Sequence, residues 1–326
     1  MVNGPILGLD IDKESFEACL LNLDKTHRRK FKNSKSGFSE LDEWLKKLAC
    51  VQVFACMEAT GRYGEELAEH LYSAGHSVVI ANPAFIASHK KTINQQNKTD
   101  PKDAEVIADY VRCFQERLRT WTPMDPTRKK LLDVIGQLAL LKKTQTAFTN
   151  RAKCGLSDET TIASLGQLQA QIKDAIEALE RRRDELFEML PALQEVRIIL
   201  DEVPGIGLEI SSALAAKIDF ANFPSGRELA CFLGLSSSEW KSGKQKKRGR
   251  QRKAGEKSLR ALVRQGAAAA MRTRFFSVFI ARLRRKGLTT KQIVSALARK
   301  ILLIAHALVR NKQSFDRFYK HPLALH

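Results

Sequence analysis

The sequence has no CxxC pair, no HExxH helix and no other zinc-type spacing among its six cysteines and seven histidines. Metal-finger and dithiol chemistry are therefore not indicated. The cysteines (Cys19, Cys50, Cys56, Cys113, Cys154, Cys231) are scattered and read as reduced residues of a cytoplasmic protein. No uninterrupted apolar run reaches the ~18 residues of a membrane span, and the opening MVNGPILGLDIDKE has no basic segment of the kind that begins a secretion signal. No membrane partner is expected. Acidic residues run short toward the C-terminus. Residues 1–120 hold 17 Lys+Arg and 17 Asp+Glu, and residues 121–200 hold 12 against 11, but residues 201–326 hold 26 against 8. Nearly all of the formal charge of +19 thus lies in the last third. Such asymmetry points to a polyanion partner, because each phosphate neutralised by Lys or Arg releases condensed counterions.

What is present divides the 326 residues into three stretches. Residues 1–120 alternate short apolar runs with amphipathic ones. ILGLDI (6–11), FEACLLNL (16–23), HRRKFKN (27–33), VQVFACME (51–58) and SVVIANP (77–83) read as strands. FSELDEWLKKL (38–48), YGEELAEHLYSAG (63–75) and a segment opened by Thr99, Asp100 and Pro101 read as helices. The order β-β-β-α-β-α-β-α implies a mixed sheet with helices on its faces. Residues 121–198 carry spaced apolar positions, notably Ile172, Ile176, Leu179, Leu186 and Leu190, interrupted by Arg183. That seam predicts a coiled-coil helical hairpin, projecting and dimerising. Residues 199–326 read as an all-α basic domain containing VPGIG (203–207) and the run KQKKRGRQRK (244–253).

Four acids stand out. Asp10 lies inside an apolar strand, where an uncompensated charge is costly. Glu58 ends another strand, and Asp100 and Asp103 share one side of a helical first turn. In a ribonuclease-H-like sheet these elements would converge, and four carboxylates at one spot repel unless cations sit among them. Hard divalent cations such as Mg²⁺ take oxygen ligands and share themselves with phosphate, and a pair of them can clamp an in-line phosphoryl transfer. Asp12 is expected to turn to the opposite face of its strand and to take no part.

The motifs GLD-x-x-K (Gly8 to Lys13), EATG (Glu58 to Gly61), Asn82-Pro83 and KTDPKDA (Lys98 to Ala104) resemble the DEDD-type insertion-sequence transposases of the family numbered one-hundred-and-ten, which includes a DNA invertase and whose catalytic domain is RuvC-like. The resemblance implies that Asp10, Glu58, Asp100 and Asp103 hold two Mg²⁺. It also implies a prokaryotic, nucleoid-associated recombinase acting on donor and target DNA, guided by a non-coding bridge RNA, dimeric when free and tetrameric in the synapse.

Pro204-Gly205-Ile206-Gly207 ahead of a helix predicts backbone N–H groups of Gly205 and Gly207 presented to a nucleic-acid phosphate, as in helix-hairpin-helix elements. Trp240-Lys241-Ser242-Gly243 follows. Serine is a poor nucleophile until activated, and the resemblance assigns Ser242 as the residue that attacks DNA phosphate, leaving a 5′-phosphoserine link. Family members often carry proline after the Gly-Leu that here is Gly234-Leu235, whereas Ser236, Ser237 and Ser238 stand there, which makes those three alternative nucleophiles. The basic run contains no aromatic residue, so Lys241, Lys244, Lys246, Lys247, Arg248, Arg250, Arg252 and Lys253 are expected to grip phosphates rather than stack on bases. Two rival readings use the same residues: a RuvC-like endonuclease with water as nucleophile, and a non-catalytic nucleic-acid-binding protein.

Overall fold

The computed structural model describes residues 4–23, 25–59, 61–93, 100–236, 240–242, 245–247 and 255–316. The chain forms two compact units, Met1–Met124 and Asp125–His326. The helical hairpin expected over 121–198 belongs to the second of these.

In the first unit, β1 (Ile6–Ile11) turns back into β2 (Ser15–Asn22), which turns back into β3 (Lys25–Lys32). Then come α1 (Lys35–Lys47), β4 (Phe54–Glu58), α2 (Glu65–Ser73), β5 (Ser77–Ala81), α3 (Pro83–Thr92) and α4 (Asp100–Phe114). The sheet order is β3-β2-β1-β4-β5, antiparallel across the first three strands in sequence and parallel from β1 through β4 to β5. This is the mixed sheet anticipated, with one additional helix. The Asn82 side chain accepts the Ala84 N–H at 2.9 Å and Pro83 takes the first helical position, so the Asn-Pro pair that ends β5 also starts α3.

Side chains alternate faces along a strand. Leu7, Leu9 and Ile11 therefore join Phe16, Leu20, Met57 and the apolar stripes of α1 and α2 on one side of the sheet. Ile6, Cys19, Cys56 and Val79 join Ile86 of α3 and Ala104, Ile107, Ala108 and Val111 of α4 on the other. Burial pushes the Cys56 thiol up to about 12 and the Cys19 thiol up to about 11, so both remain protonated packing groups. Gly8 lies on the α4 side, and a side chain there has no room. A Cβ would stand 2.2 Å from the Ala104 carbonyl oxygen and 2.5 Å from the Ala108 nitrogen, both backbone atoms. The helix thus rests directly on β1.

In the second unit, α5 (Pro126–Ala152) and α6 (Glu159–Glu188) pack along each other. Asp125 and Asp158 cap them by accepting the N–H groups of Arg128 and Thr161. Leu131, Ile135, Leu186 and Phe187 enter the core of this unit, whereas Leu140, Ile162 and Leu168 are exposed. Arg183, which interrupts the apolar seam, is 3% exposed and pairs with Asp184. Burial alone would raise the Asp184 carboxyl, but Arg183 and Arg197 hold it below the usual range.

α7 (Pro191–Asp201), α8 (Leu208–Lys217), α9 (Gly226–Phe232), α10 (Lys257–Ala270), α11 (Ser277–Arg285) and α12 (Thr290–Asn311) complete the helices. The expectation that residues 199–326 are all-α is corrected, because β6 (Trp240–Ser242) and β7 (Gln245–Lys247) pair as an antiparallel ribbon. By length and composition, α12 is apolar enough to cross a membrane. It has that character because Ile293, Leu297, Ile301, Leu302 and Ala305 fill the core of the unit.

The close seating at Gly8 generates a test. Gly8→Ala forces a methyl into backbone atoms, an overpacking worth about 1–3 kcal/mol. Urea unfolding of the first unit is expected to shift to a lower midpoint by that amount with an unchanged m-value.

Candidate active site

Asp10 and Glu58 occupy corresponding places at the carboxyl ends of two adjacent parallel strands. Gly8 pairs with Cys56 and Leu9 with Met57 across β1 and β4, and each acid is the next residue. By alternation both acids share the face of Gly8 and Cys56, the face that α4 covers. Both are partly buried. Crevices beyond the carboxyl ends of parallel strands are where α/β sheets bind ligands. α4 begins at Asp100, and its Ala104 sits against Gly8. Its first turn, carrying Asp100 and Asp103, is thereby set beside β1 two residues from Asp10.

Asp12 departs from expectation. Positions 10 and 12 are two apart, so a continued strand would have put them on the same face. Asp12 instead lies past the end of β1 at Ile11: its backbone N–H donates to the Ser15 carbonyl at 2.9 Å, and its side chain accepts the Lys13 N–H at 2.7 Å. The residue serves the turn into β2.

Five charged residues near the acids, Glu17, Lys30, Arg28, Glu105 and Lys90, were not singled out from sequence. Glu17 pairs in register with Asp10 across β1 and β2, and Lys30 pairs in register with Glu17 across β2 and β3. The Lys30 ammonium lies 3.4 Å from the Glu17 carboxylate. One row across the sheet therefore reads Glu58, Asp10, Glu17, Lys30. Beside it, Arg28 donates to Glu105 of α4 at 2.6 Å. Lys90 at the end of α3 donates to the Asp103 carboxylate. Period-two spacing within FEACLLNL and HRRKFKN could have flagged Glu17 and Lys30, but only with the strand register in hand.

The donor set fits a hard cation. Asp10, Glu58 and the Asp pair of α4 offer oxygen ligands alone, as Mg²⁺ prefers. Two carboxylates about 5 Å apart repel by about 3 kcal/mol at an effective dielectric of about 20. Lysines at the margin ease this repulsion, but a divalent ion among the acids would relieve it more fully.

Ser242, the expected nucleophile, is the last residue of β6, in the second unit. Register sets it across from Gln245, and Lys241 across from Lys246. Lys247 pairs with Trp240. Ser236 follows α9 at a bend and is partly buried. Lys244, Arg248, Arg250, Arg252 and Lys253, with Ser237 and Ser238, lie outside the described residues.

The VPGIG turn divides its glycines between two jobs. Gly205 has φ +92°, and a Cβ there would meet Ala270 at 2.8 Å and the Gly266 carbonyl oxygen at 2.9 Å, so this glycine seats the turn on α10. Gly207 begins α8 without a side-chain cap, and a Cβ there would meet nothing within 4 Å. Of the two, Gly207 stands at the open helix end. Close by, Lys142 pairs with Glu180 and Glu209, which partly offsets the positive end of the helix.

Comparison with known proteins bears on this arrangement. A transposase family model of the IS110 DEDD type matches residues 7–160, and a model described as transposase IS116/IS110/IS902 family matches residues 198–283. The pilin gene-inverting protein of Moraxella bovis is 30% identical, over 95% of this chain and 97% of its own length, and that of Moraxella lacunata matches equally. The transposase for insertion sequence element IS1328 of Yersinia enterocolitica is 23% identical over 97% of this chain and 100% of its own. Among solved structures, Thermus thermophilus RuvC aligns with 36% of this chain and 99% of its own at a TM-score of 0.27 and 12% identity. With both family models matched in order and full-length relatives at this identity, the chain belongs to the IS116/IS110/IS902 family of transposases.

Proposed function

We propose that this transposase cuts and rejoins DNA at specific sites by divalent-metal-dependent transesterification, with Asp10, Glu58, Asp100 and Asp103 as the metal-holding acids and Ser242 as the nucleophile. The observation that carries the reading is the paired ending of β1 and β4: two acids on one sheet face, with the first turn of α4 seated beside them through Gly8. The strand order β3-β2-β1-β4-β5 fits a ribonuclease-H-like catalytic domain.

Two Mg²⁺ at the acids would neutralise the scissile phosphate and lower the pKa of an attacking hydroxyl. In the cutting step the Ser242 Oγ forms a bond to phosphorus and gives up its proton, while the bond from phosphorus to the 3′ oxygen breaks. That oxygen leaves as a hydroxyl, and the 5′ phosphate stays on serine. Rejoining reverses the step with a different 3′-hydroxyl, so no external energy source is needed. Acids and serine belong to different units of the chain, which is compatible with an active site shared between subunits of a dimer or tetramer.

The second unit supplies the grip. The β6–β7 ribbon sets Lys241 in register with Lys246, and lysines so placed are suited to a phosphate backbone. Lys244, Lys247, Arg248, Arg250, Arg252 and Lys253 extend the same basic stretch, and the open end of α8 at Gly207 offers backbone donors. Contacts of this kind carry no base code, which suits a recombinase whose donor and target DNA are selected by pairing with a guide RNA.

One feature favours a hydrolytic reading: all four acids reside in the first unit, so a metal site could form there without Ser242. Ser242→Ala separates the two. Transesterification predicts loss of the covalent protein–DNA adduct and a fall in strand cleavage of more than about 10³-fold, scored with the flanking non-coding transcript and Mg²⁺ present. Retained cleavage without adduct would establish the hydrolase. Lys30→Ala tests the margin of the acid row. DNA affinity is expected to fall across all sequences, and the slope of log affinity against log salt to decrease by about one, as measured by fluorescence anisotropy.

A further inference from the structure

Spacing along the chain shows no metal-ligand pattern among the histidines and cysteines, but the fold gathers one. His89 lies near the end of α3, and Asp109 and Cys113 lie one turn apart on the same side of α4. The His89 Nε2 is 2.8 Å from an Asp109 carboxylate oxygen, and a ring nitrogen of His89, a carboxylate oxygen of Asp109 and the Cys113 Sγ all lie within 4.8 Å of one another. We propose that His89, Asp109 and Cys113 form a binding site for a borderline-soft divalent cation of the zinc class, bridging α3 and α4.

Three features make this more than a chance grouping. The His89 ring is held in place, almost fully buried between Tyr110 and Phe114 at centroid distances of 5.7 and 5.8 Å with steep interplanar angles, so its nitrogen is aimed rather than free to rotate. The second oxygen of Asp109 accepts from Arg112, which orients the carboxylate as outer partners of metal ligands do. The thiol of Cys113 is exposed, giving an incoming ion a route to the site. A tetrahedral zinc-class ion with bonds of about 2.0–2.3 Å places its ligand atoms roughly 3.3–3.7 Å apart. The His–Asp pair needs to open by about 0.5 Å from its present hydrogen bond and the exposed thiol to turn inward, both side-chain movements. Water takes the fourth position, and the thiol proton passes to solvent on binding.

The donor set also sets the selectivity. Nitrogen, sulfur and one oxygen suit zinc-class ions, whereas the all-oxygen acid row suits Mg²⁺. The site ties together the two helices that hold Asp103: α4 carries it, and Lys90, the residue after His89, donates to it. An ion here would brace the helix that presents two of the four acids. Binding does not depend on the serine chemistry.

Cobalt tests the assignment, because a thiolate ligand gives Co²⁺ a near-ultraviolet charge-transfer band that oxygen ligands do not. Reduced full-length protein in saturating Mg²⁺, which fills the acid row, is titrated with Co²⁺ and then with Zn²⁺. The site predicts a sulfur-to-cobalt band saturating at one equivalent and displaced by Zn²⁺. Cys113→Ser should abolish the band, and His89→Gln should weaken Co²⁺ binding by at least about tenfold. Zn²⁺ should raise the melting temperature of the wild-type protein and leave that of Cys113→Ser unchanged. Absence of the band, or the same band in Cys113→Ser with a thiol such as Cys154 as ligand, would overturn the proposal and leave His89–Asp109–Arg112 as an ion-pair network.

Discussion

The arrangement of the first unit depends on the missing side chain at Gly8. A helix packed on a sheet ordinarily stands off by the thickness of the side chains between them. At Gly8 the backbone of α4 comes within contact of the backbone of β1, at the Ala104 carbonyl oxygen and the Ala108 nitrogen. Asp10 is two residues along the same strand face, and Asp103 immediately precedes Ala104. Short acidic side chains can share ions only if their backbones come this close. The glycine of the GLD motif therefore serves the acids on either side of the contact, while Cys19 and Cys56, protonated and buried, fill the surrounding layer.

Charge is organised around that contact on two scales. Locally, Lys90 pairs with Asp103, and two neighbouring acids outside the candidate set are paired as well, Glu17 with Lys30 and Glu105 with Arg28. These partly exposed pairs contribute little to stability in water, but they keep a cluster of carboxylates from forcing its elements apart. Over the whole chain, acids dominate the candidate chemistry of the first unit, and the excess of lysine and arginine is confined to residues 201–326. The candidate acids and the basic excess thus lie in different units of the chain.

The strands and their acids were legible because burial on both faces leaves a near-continuous apolar signature that a charged residue interrupts visibly, as Asp10 does in ILGLDI. The register was not. Glu17 and Lys30 became neighbours of Asp10 only through strand pairing, which no local pattern encodes. The same limit hid His89, Asp109 and Cys113, whose grouping depends on how α3 meets α4. Asp12 was misplaced by assigning opposite faces to residues two apart, and the end of β1 at Ile11 governs its position instead. The β6–β7 ribbon was missed because its lysines mask any alternation of apolar and polar residues. Gly205 and Gly207 looked alike in sequence, yet one is a packing glycine and the other an open helix end.

The central claim is that acids from β1, β4 and α4 act as one divalent-metal site. Mn²⁺ binding to the full chain, followed by the loss of the free-ion electron paramagnetic resonance signal, tests it most directly. The account predicts that Asp10→Asn, Glu58→Gln and Asp103→Asn each weaken Mn²⁺ binding by at least about tenfold, with Asp12→Asn unchanged. Mn²⁺ affinity indifferent to these three substitutions, or lost equally with Asp12→Asn, would contradict it.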